Sequence, residues 1–314
     1  MNTESSVRDR YAAAAHAPEA ALCCPVSYDP KYLKAIPAEV IEKDYGCGDP
    51  SSHLRPGETV LDLGSGTGKI CFIAAQVVGP TGRVIGVDMT DAMLEVARRN
   101  APILAATLGY ANVEFRKGRI QDLALDLDLL DRELRAKPMD GLGAFLSAEQ
   151  LAENLRQQRP LVASGSVDAV VSNCVLNLVA PAAKRQLFAE IFRVLKPGGR
   201  AVISDIVSDL DVSEAMQRDP ELWSGCISGA LREDLFPRAF TDAGFHSVRI
   251  LKRDEKPWRV VNGVEFRALT VEAHKTRPQL KAAASLFASP AKADGLSFKP
   301  AAGNSPAVCG PGCC

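Results

Sequence analysis

Short apolar runs alternate with longer segments of helical periodicity through the middle of the chain. Five buried strands are predicted, at Thr59–Leu63, Arg83–Asp88, Asn112–Arg116, Val167–Asn173 and Arg200–Asp205. Helices are predicted between them at Lys69–Val78, Asp91–Leu108 and Lys184–Leu195, and an insertion over residues 123–164 is predicted to hold two more. Strands and helices that alternate at this spacing predict a doubly wound, mostly parallel α/β sheet over residues 58–205.

The pattern changes on both sides of this alternating region. Residues 1–57 are predicted to be a weakly anchored helical arm, followed by a proline-punctuated cover of turns and loops. Residues 206–275 are predicted to be a smaller α+β lid, whose strands at 247–254 and 264–274 complete the sheet. Residues 276–314 have little periodicity and are predicted to be a disordered tail that ends in Cys309-Gly310-Pro311-Gly312-Cys313-Cys314.

Charge and hydropathy narrow the class of protein. The 314 residues carry a formal net charge of −1, which gives no reason to expect nucleic acid or a membrane surface as a partner. No apolar run is long enough to span a membrane, and the N-terminus has no apolar region typical of a secretory signal. We therefore expect a cytoplasmic protein, and a monomer.

Nine cysteines alter this picture. An odd number of cysteines in a chain without a secretory signal argues against a disulfide framework. In a reducing compartment, so many thiols suggest that the chain binds a soft ion or performs redox chemistry. The alternative is that several of them are small buried hydrophobic residues, which is our expectation for Cys71 on the inner face of the first predicted helix.

A glycine-rich loop follows the first predicted strand and leads directly into a helix. Glycines at this place permit a tight turn and a close approach of ligand to backbone. A dinucleotide site has the spacing G-x-G-x-x-G, whereas here the spacing is G-x-G-x-G with an acid ahead of it. The acid suits a cation and would repel a pyrophosphate, so the loop indicates S-adenosylmethionine, held by Asp62, Gly64, Ser65, Gly66 and Gly68.

Residues that follow the second, third and fourth predicted strands are also suited to bind S-adenosylmethionine. Asp88 ends the second strand, where it could accept both ribose hydroxyls, and Met89 follows it. Ile120 and Gln121 are placed to contact adenine, and Asn173 to touch the methionine part. With Leu195-Lys196-Pro197-Gly198-Gly199-Arg200 before the fifth strand, the pattern resembles the class I methyltransferase family, whose fold is Rossmann-like. A glycine-rich turn without a ligand is the alternative.

Three cysteines stand where an acceptor would lie. Cys174 immediately follows the fourth strand, and open α/β sheets bind ligands beyond the carboxyl ends of their strands. Cys47 precedes the first strand, and Cys226 belongs to the segment predicted to be a lid. No C-x-x-C zinc pattern or histidine accompanies them, so three converging thiols would suit a soft, three-coordinate centre. Taken singly, Cys174 also fits a buried strand end.

The sequence segments around these cysteines resemble those of the arsenite methyltransferases. YGCG, LDLGSGTGKICF, VSNCVLNLV, ISDIV and SGCISGALREDLF carry the resemblance, which covers roughly residues 20–275. ALCCPVSYDPKYL, EVIEKDYGCGDPS and GRIQDLALDLDLLD, together with the long 123–164 insertion, look most like the branch associated with arsenosugar biosynthesis.

The resemblance implies roles for particular residues. Cys47, Cys174 and Cys226 would bind As(III) as thiolates, and Tyr45 would lie near the reacting centre. Cys24, from the Cys23–Cys24 pair, would be a fourth functional cysteine, and a disulfide between Cys24 and Cys47 could return electrons to arsenic after methylation. Thioredoxin or glutathione would then reduce that disulfide.

Other functions remain open from the sequence. A class I methyltransferase for a small organic acceptor would need a base and would not need the three cysteines. A protein that buffers arsenic or metal on the same fold would bind As(III) without methylating it. The cysteine-tipped tail could capture arsenic for the site, or it could bind metal with no catalytic part.

Overall fold

The computed structural model describes residues 3–17, 19, 26–43, 45–136 and 140–276. Its helices are α1 (Thr3–Ala14), α2 (Pro30–Leu33), α3 (Ala38–Glu42), α4 (Lys69–Val78), α5 (Asp91–Leu108), α6 (Leu127–Arg135), α7 (Gly141–Gln158), α8 (Pro181–Val194), α9 (Glu214–Gln217), α10 (Pro220–Ser224) and α11 (Leu235–Asp242). Its strands are β1 (Thr59–Leu63), β2 (Arg83–Asp88), β3 (Val113–Lys117), β4 (Val167–Asn173), β5 (Leu195–Ser208), β6 (Leu231–Arg232), β7 (His246–Arg253), β8 (Arg259–Val261) and β9 (Val264–His274). Short 3-10 helices lie at Pro50–His53 and Leu176–Leu178.

The strands form one sheet in the order β3-β2-β1-β4-β5-β9-β7, with β6 paired to β5 and β8 to β9. The first five are parallel, and β9 runs antiparallel between β5 and β7. The sheet is therefore doubly wound and mostly parallel, as the alternating pattern predicts. The order reverses between β1 and β4, which is where such sheets bind their ligands.

The central strands are apolar on both faces because helices cover both sides of the sheet. In β1, Val60, Leu61 and Leu63 are fully buried, and Asp62 is the only polar side chain in the buried run. Cys71, on α4, is buried in the core as expected. β5 begins at Leu195, five residues before the predicted start, because Leu195 pairs with Val167 before the strand is interrupted by an irregularity.

The N-terminal arm is held more firmly than predicted. Val7, Ala14 and Ala15 are buried, although α1 shows little amphipathic pattern in its sequence. Arg10 on α1 donates hydrogen bonds to the Glu221 carbonyl oxygen and to Ser224 Oγ, each over 2.9 Å. The prediction of weak anchoring was wrong because these partners lie more than 200 positions away along the chain.

Some predictions lie outside the described residues. Cys23, Cys24 and the tail from residue 277 with Cys309, Cys313 and Cys314 belong to this part of the chain. The described residues all fall within one compact unit, so the division into cover, cofactor domain and lid stays a prediction. Within residues 3–276, where they are described, no helix is long and apolar enough to cross a membrane.

Candidate functional site

A pocket opens at the carboxyl ends of β1, β2 and β4, and nearly all of the predicted cofactor residues line it. These are Asp62, Gly64, Ser65, Gly66, Asp88, Met89, Ile120, Gln121 and Asn173, together with Tyr45 and Cys174 from the predicted acceptor side. Glu4, Val7 and Tyr11 of α1 line it as well. No sequence motif predicts that the first helix contributes to the site.

Gly68 is predicted to bind the cofactor, and the structure gives this glycine a packing role. It has a left-handed backbone at the start of α4, with φ of 96°. A Cβ there would lie 2.7 Å from Cζ of Phe115 on β3, so glycine is required for helix and strand to pack. Gly68 does not line the pocket.

The loop glycines that do line the pocket have separate structural reasons. Gly64 has φ of 69°, and a Cβ there would lie 2.4 Å from Cγ1 of Val175. Gly66 has φ of 52°, yet the Cβ direction at Gly66 has no heavy atom within 4 Å. Gly64 therefore permits close packing of two loops, whereas Gly66 leaves open space for a ligand.

The polar groups of the pocket fit S-adenosylmethionine. Ser65 Oγ is buried and has no hydrogen-bond partner among the described residues, so a ligand atom can pair with it. Asp62 is buried and supplies a negative charge that suits an amino group or a sulfonium. Cys71 Sγ donates to Asp62 Oδ2 over 3.2 Å, and burial raises the pKa of this thiol well above its ordinary value, so it stays protonated and can donate.

Asp88 links the glycine loop to the next strand. One carboxylate oxygen accepts from Gly66 N over 2.9 Å, and the other accepts from Thr90 N over 2.8 Å. Burial raises the pKa of Asp88, and the backbone donors at Thr90 and Gly66 oppose that rise. Asp88 lines the pocket, so its carboxylate is placed where it could accept the two vicinal hydroxyls of a ribose.

Replacing Asp88 by alanine should weaken S-adenosylmethionine binding about 10- to 100-fold, because two charge-assisted hydrogen bonds to the ribose are lost. Isothermal titration with S-adenosylmethionine measures the change. Glu95→Ala on the exposed side of α5 is the control and should bind normally. An unchanged affinity of Asp88→Ala would show that the ribose lies elsewhere.

Asn173 holds the loop that carries Cys47. Its Oδ1 accepts from the backbone amides of Cys47 (2.8 Å) and Gly48 (3.0 Å). Its Nδ2 donates to the Gly48 carbonyl oxygen (2.8 Å) and to Tyr28 Oη (3.1 Å). The amide is thus occupied in positioning the loop, while contact with the methionine part of the cofactor stays a prediction.

The glycines beside Cys47 allow this contact. A Cβ at Gly46 would lie 2.1 Å from Asn173 Nδ2, and a Cβ at Gly48 would lie 2.5 Å from Ser204 Oγ. The Tyr-Gly-Cys-Gly sequence therefore lets the backbone press against the ends of β4 and β5, which brings Cys47 to the carboxyl edge of the sheet.

Two of the predicted thiols meet there, and the third is adjacent. Sγ of Cys47, Sγ of Cys174 and a carboxylate oxygen of Asp205 lie within 4.8 Å of one another. Cys226 lies outside this mutually close set of described residues. Its Sγ donates instead to the Cys174 carbonyl oxygen over 3.1 Å, and all three cysteines belong to one buried cluster.

Cys226 also faces the first helix. Tyr11 Oη lies 3.8 Å from Cys226 Sγ, and burial, followed by the nearby thiols of Cys226 and Cys174, raises the pKa of Tyr11 well above its ordinary value. Tyr11 packs edge-on against Tyr45, with ring centroids 6.1 Å apart. Tyr45 Oη in turn donates to the Ala14 carbonyl oxygen over 3.0 Å, so Tyr45 joins α1 to the thiol site.

Both Cys174 and Cys226 have a left-handed backbone, each with φ of 63°. This conformation costs a residue with a Cβ about 1 kcal/mol. Asn177 stabilises the second of these turns, because its Nδ2 donates to the carbonyl oxygens of Ile206 (2.6 Å) and Cys226 (3.2 Å). The contribution of Asn177 is long-range and was not predicted from the sequence.

Asp205 is a fully buried carboxyl group beside the two thiols. It accepts from the backbone amides of Leu176 and Ile206, each over 2.8 Å. Burial raises its pKa from 3.8 to about 6, against the opposing effects of these amides and of Lys184. Burial also lowers the pKa of Lys184 to about 8, while Asp205 opposes that change.

The stability of an Asp205→Asn variant should rise relative to the parent as the pH rises. A carboxyl group whose pKa is raised on folding stabilises fully below its unfolded value of 3.8, and that stabilisation is lost as the pH passes about 6. Between about pH 4 and about pH 7, the free energy of unfolding of Asp205→Asn should rise relative to that of the parent by up to about 3 kcal/mol. Urea unfolding of both proteins measures it, with Glu149→Gln correcting for the loss of one surface charge. A gap that is constant with pH would contradict the prediction.

Comparison with known proteins places this geometry in context. Residues 54–138 and 145–244 match the family described as Methyltransferase domain. The chain is 38% identical over 232 residues to an arsenite methyltransferase of Halobacterium salinarum, which covers 73% of this chain and 48% of the relative. It is 36% identical to one of Aquipseudomonas alcaligenes, over 73% of this chain and 57% of the relative. The chain thus spans about half the length of the curated relatives it matches.

A solved structure agrees with the sequence relatives. The crystal structure of an arsenic(III) S-adenosylmethionine methyltransferase from Chlamydomonas reinhardtii superposes with a TM-score of 0.62 and 32% identity. The match covers 84% of this chain and 76% of that one.

Proposed function

Because this chain belongs to the arsenite methyltransferase family of S-adenosylmethionine-dependent methyltransferases, we propose that it methylates trivalent arsenic. The observation that carries the proposal is the position of Cys47 and Cys174. Their thiols converge at the edge of the cofactor pocket, and Cys226 lies against Cys174. An enzyme for an organic acceptor has no need of such a cluster.

The pocket residues bind and orient the methyl donor. When bound, S-adenosylmethionine supplies an electrophilic methyl group on a sulfonium. Ser65, Asp62 and Asp88 offer the oxygen atoms that would hold its polar groups, and the open side of Gly66 admits it. α1 covers this pocket through Val7 and Tyr11, which helps to keep water away from the reacting groups.

The thiols bind and orient the acceptor. Arsenic(III) bound to three sulfurs keeps a lone pair, so the acceptor carries no proton that a general base would have to remove. The work of the protein is then orientation and desolvation. Cys226 becomes the third ligand by rotating its Sγ away from the Cys174 carbonyl oxygen, which breaks the 3.1 Å hydrogen bond.

A thiol reductant completes the proposed cycle. Methylation formally oxidises arsenic by two electrons, and two thiols can return them by forming one disulfide with release of two protons. From the family resemblance we assign this pair to Cys24 and Cys47, with thioredoxin or glutathione as the reductant in a cytoplasmic setting. The number of methyl groups added and the arsenosugar branch are separate questions for product analysis.

One incubation separates the candidate functions. The protein is mixed with S-adenosylmethionine, a thiol and arsenite, and the arsenic species are resolved by chromatography with mass detection. Methylated arsenic that depends on S-adenosylmethionine supports the proposal. Tight binding of As(III) without a methylated product would instead indicate an arsenic-buffering protein, and neither binding nor product would indicate an organic acceptor.

A further inference from the structure

Asp205 is a buried carboxyl group that has no role in the methylation mechanism proposed above. Its side chain is 0% exposed, and Cys47 and Cys174 are 3% and 4% exposed. A buried carboxylate is costly unless it is paired or binds a cation, and the positive charge that acts on Asp205 is that of buried Lys184. Its donors are the backbone amides of Leu176, Ile206 and Asn177, which leaves about one of the roughly four acceptor positions of a carboxylate for a cation.

The two sulfurs and the carboxylate have the spacing of a divalent metal site. All three ligand atoms lie within 4.8 Å of one another. Around a tetrahedral zinc ion, with metal–ligand distances of about 2.3 Å for sulfur and about 2.1 Å for oxygen, ligand atoms are roughly 3.5 Å apart. Small side-chain rotations therefore suffice to close the site, and a fourth position stays open for water.

The charges around the two thiols and Asp205 are also suited to a divalent cation. Two thiolates and the Asp205 carboxylate carry three negative charges, and a divalent cation together with buried Lys184 carries three positive ones. Binding is therefore electrically balanced once the two thiol protons are released to the buffer. Arsenic(III) with three thiolates is neutral by itself, so it leaves the Asp205 and Lys184 charges to balance each other.

We propose that Cys47, Cys174 and Asp205 form a binding site for a thiophilic divalent cation of the zinc type, distinct in its third ligand from the arsenic site. The cation shares two thiols with arsenic but uses Asp205, whereas arsenic uses Cys226. If the chain methylates arsenite as proposed above, such a cation excludes arsenite from the shared thiols and inhibits methylation competitively. This consequence rests on the proposed function.

Two variants test the third ligand in opposite directions. The background carries serine at the five cysteines outside the described residues, so that these thiols do not bind the probe. Cd²⁺ is titrated while its sulfur charge-transfer absorbance is followed, and As(III) binding is measured separately. Asp205→Asn should weaken Cd²⁺ binding at least about 10-fold and spare As(III) binding, whereas Cys226→Ser should do the reverse.

The outcomes are separable from the proposed function. S-adenosylmethionine binding verifies that each variant is folded, and Cd²⁺ binding is measured without arsenite. Equal Cd²⁺ affinity of Asp205→Asn and its parent would overturn the divalent site, whatever the enzyme methylates. Loss of Cd²⁺ binding in Cys226→Ser would overturn it too. In the full chain, Zn²⁺ should raise the apparent KM for arsenite with little change in kcat, and a purely kcat effect would contradict competition.

Discussion

Cys174→Ser should lower kcat/KM for arsenite at least about 100-fold, because a hydroxyl is a poor ligand for a soft ion. Cys174 is central to the site: its Sγ faces Cys47 and its carbonyl oxygen accepts from Cys226. The change from sulfur to oxygen is small, so the strand end should keep its shape. S-adenosylmethionine affinity should therefore stay within about twofold of the parent.

The control for this substitution is Met216→Leu. Met216 is buried in the same cluster as the three cysteines but carries no thiol. A swap that conserves volume costs little in a core, so methylation should persist. If Cys174→Ser methylates arsenite at the parental rate, the thiol mechanism is contradicted and an organic acceptor becomes the better hypothesis.

Asn173→Ala should be the next most damaging change, with methylation reduced at least about 30-fold. It deletes four hydrogen bonds and leaves the amides of Cys47 and Gly48 without their acceptor. Each orphaned buried amide costs about 1–3 kcal/mol, so the loop should relax and carry Cys47 away from Cys174. A misplaced ligand of about 1 Å is enough to cost two orders of magnitude in rate.

Asn112→Ala provides the matched control. Like Asn173 Nδ2, Asn112 Nδ2 donates two hydrogen bonds, here to the carbonyl oxygens of Ala75 (3.1 Å) and Gly79 (2.9 Å), but Asn112 lies at the opposite end of the sheet from the thiols. Both variants should lose stability, and only Asn173→Ala should lose turnover per folded molecule. Equal losses of turnover in the two would reduce Asn173 to a general structural role.

The sequence is informative where local pattern decides structure. The runs that form β1, β2 and β4 and the periodicity of α4 and α5 predict their elements to the residue, because buried parallel strands and amphipathic helices carry a strong local pattern. The glycine loop and the strand-end acids are likewise local, and their arrangement around one pocket follows from the parallel sheet.

Long-range contacts decide what the sequence does not reveal. The sequence pattern predicts a ligand-binding glycine at Gly68, and only the contact with Phe115 on β3 reveals that packing also requires a glycine there. The role of Asp205 depends on two cysteines that are 31 and 158 positions away, so no spacing along the chain signals it. The contribution of Tyr11 to the site is not predictable either, because the polar, alanine-rich sequence of α1 does not indicate which part of the protein the helix packs against.

The positive φ angles of Cys174 and Cys226 imply a trade-off between stability and function in the site. Glycine is the residue that such a backbone accepts most readily, and a selection that rewards folding alone has no reason to retain cysteine at either position. Variants selected only for thermal resistance should therefore tend to lose these two thiols, whereas selection for turnover should keep them. The residues that bind the acceptor are the ones that the backbone itself disfavours.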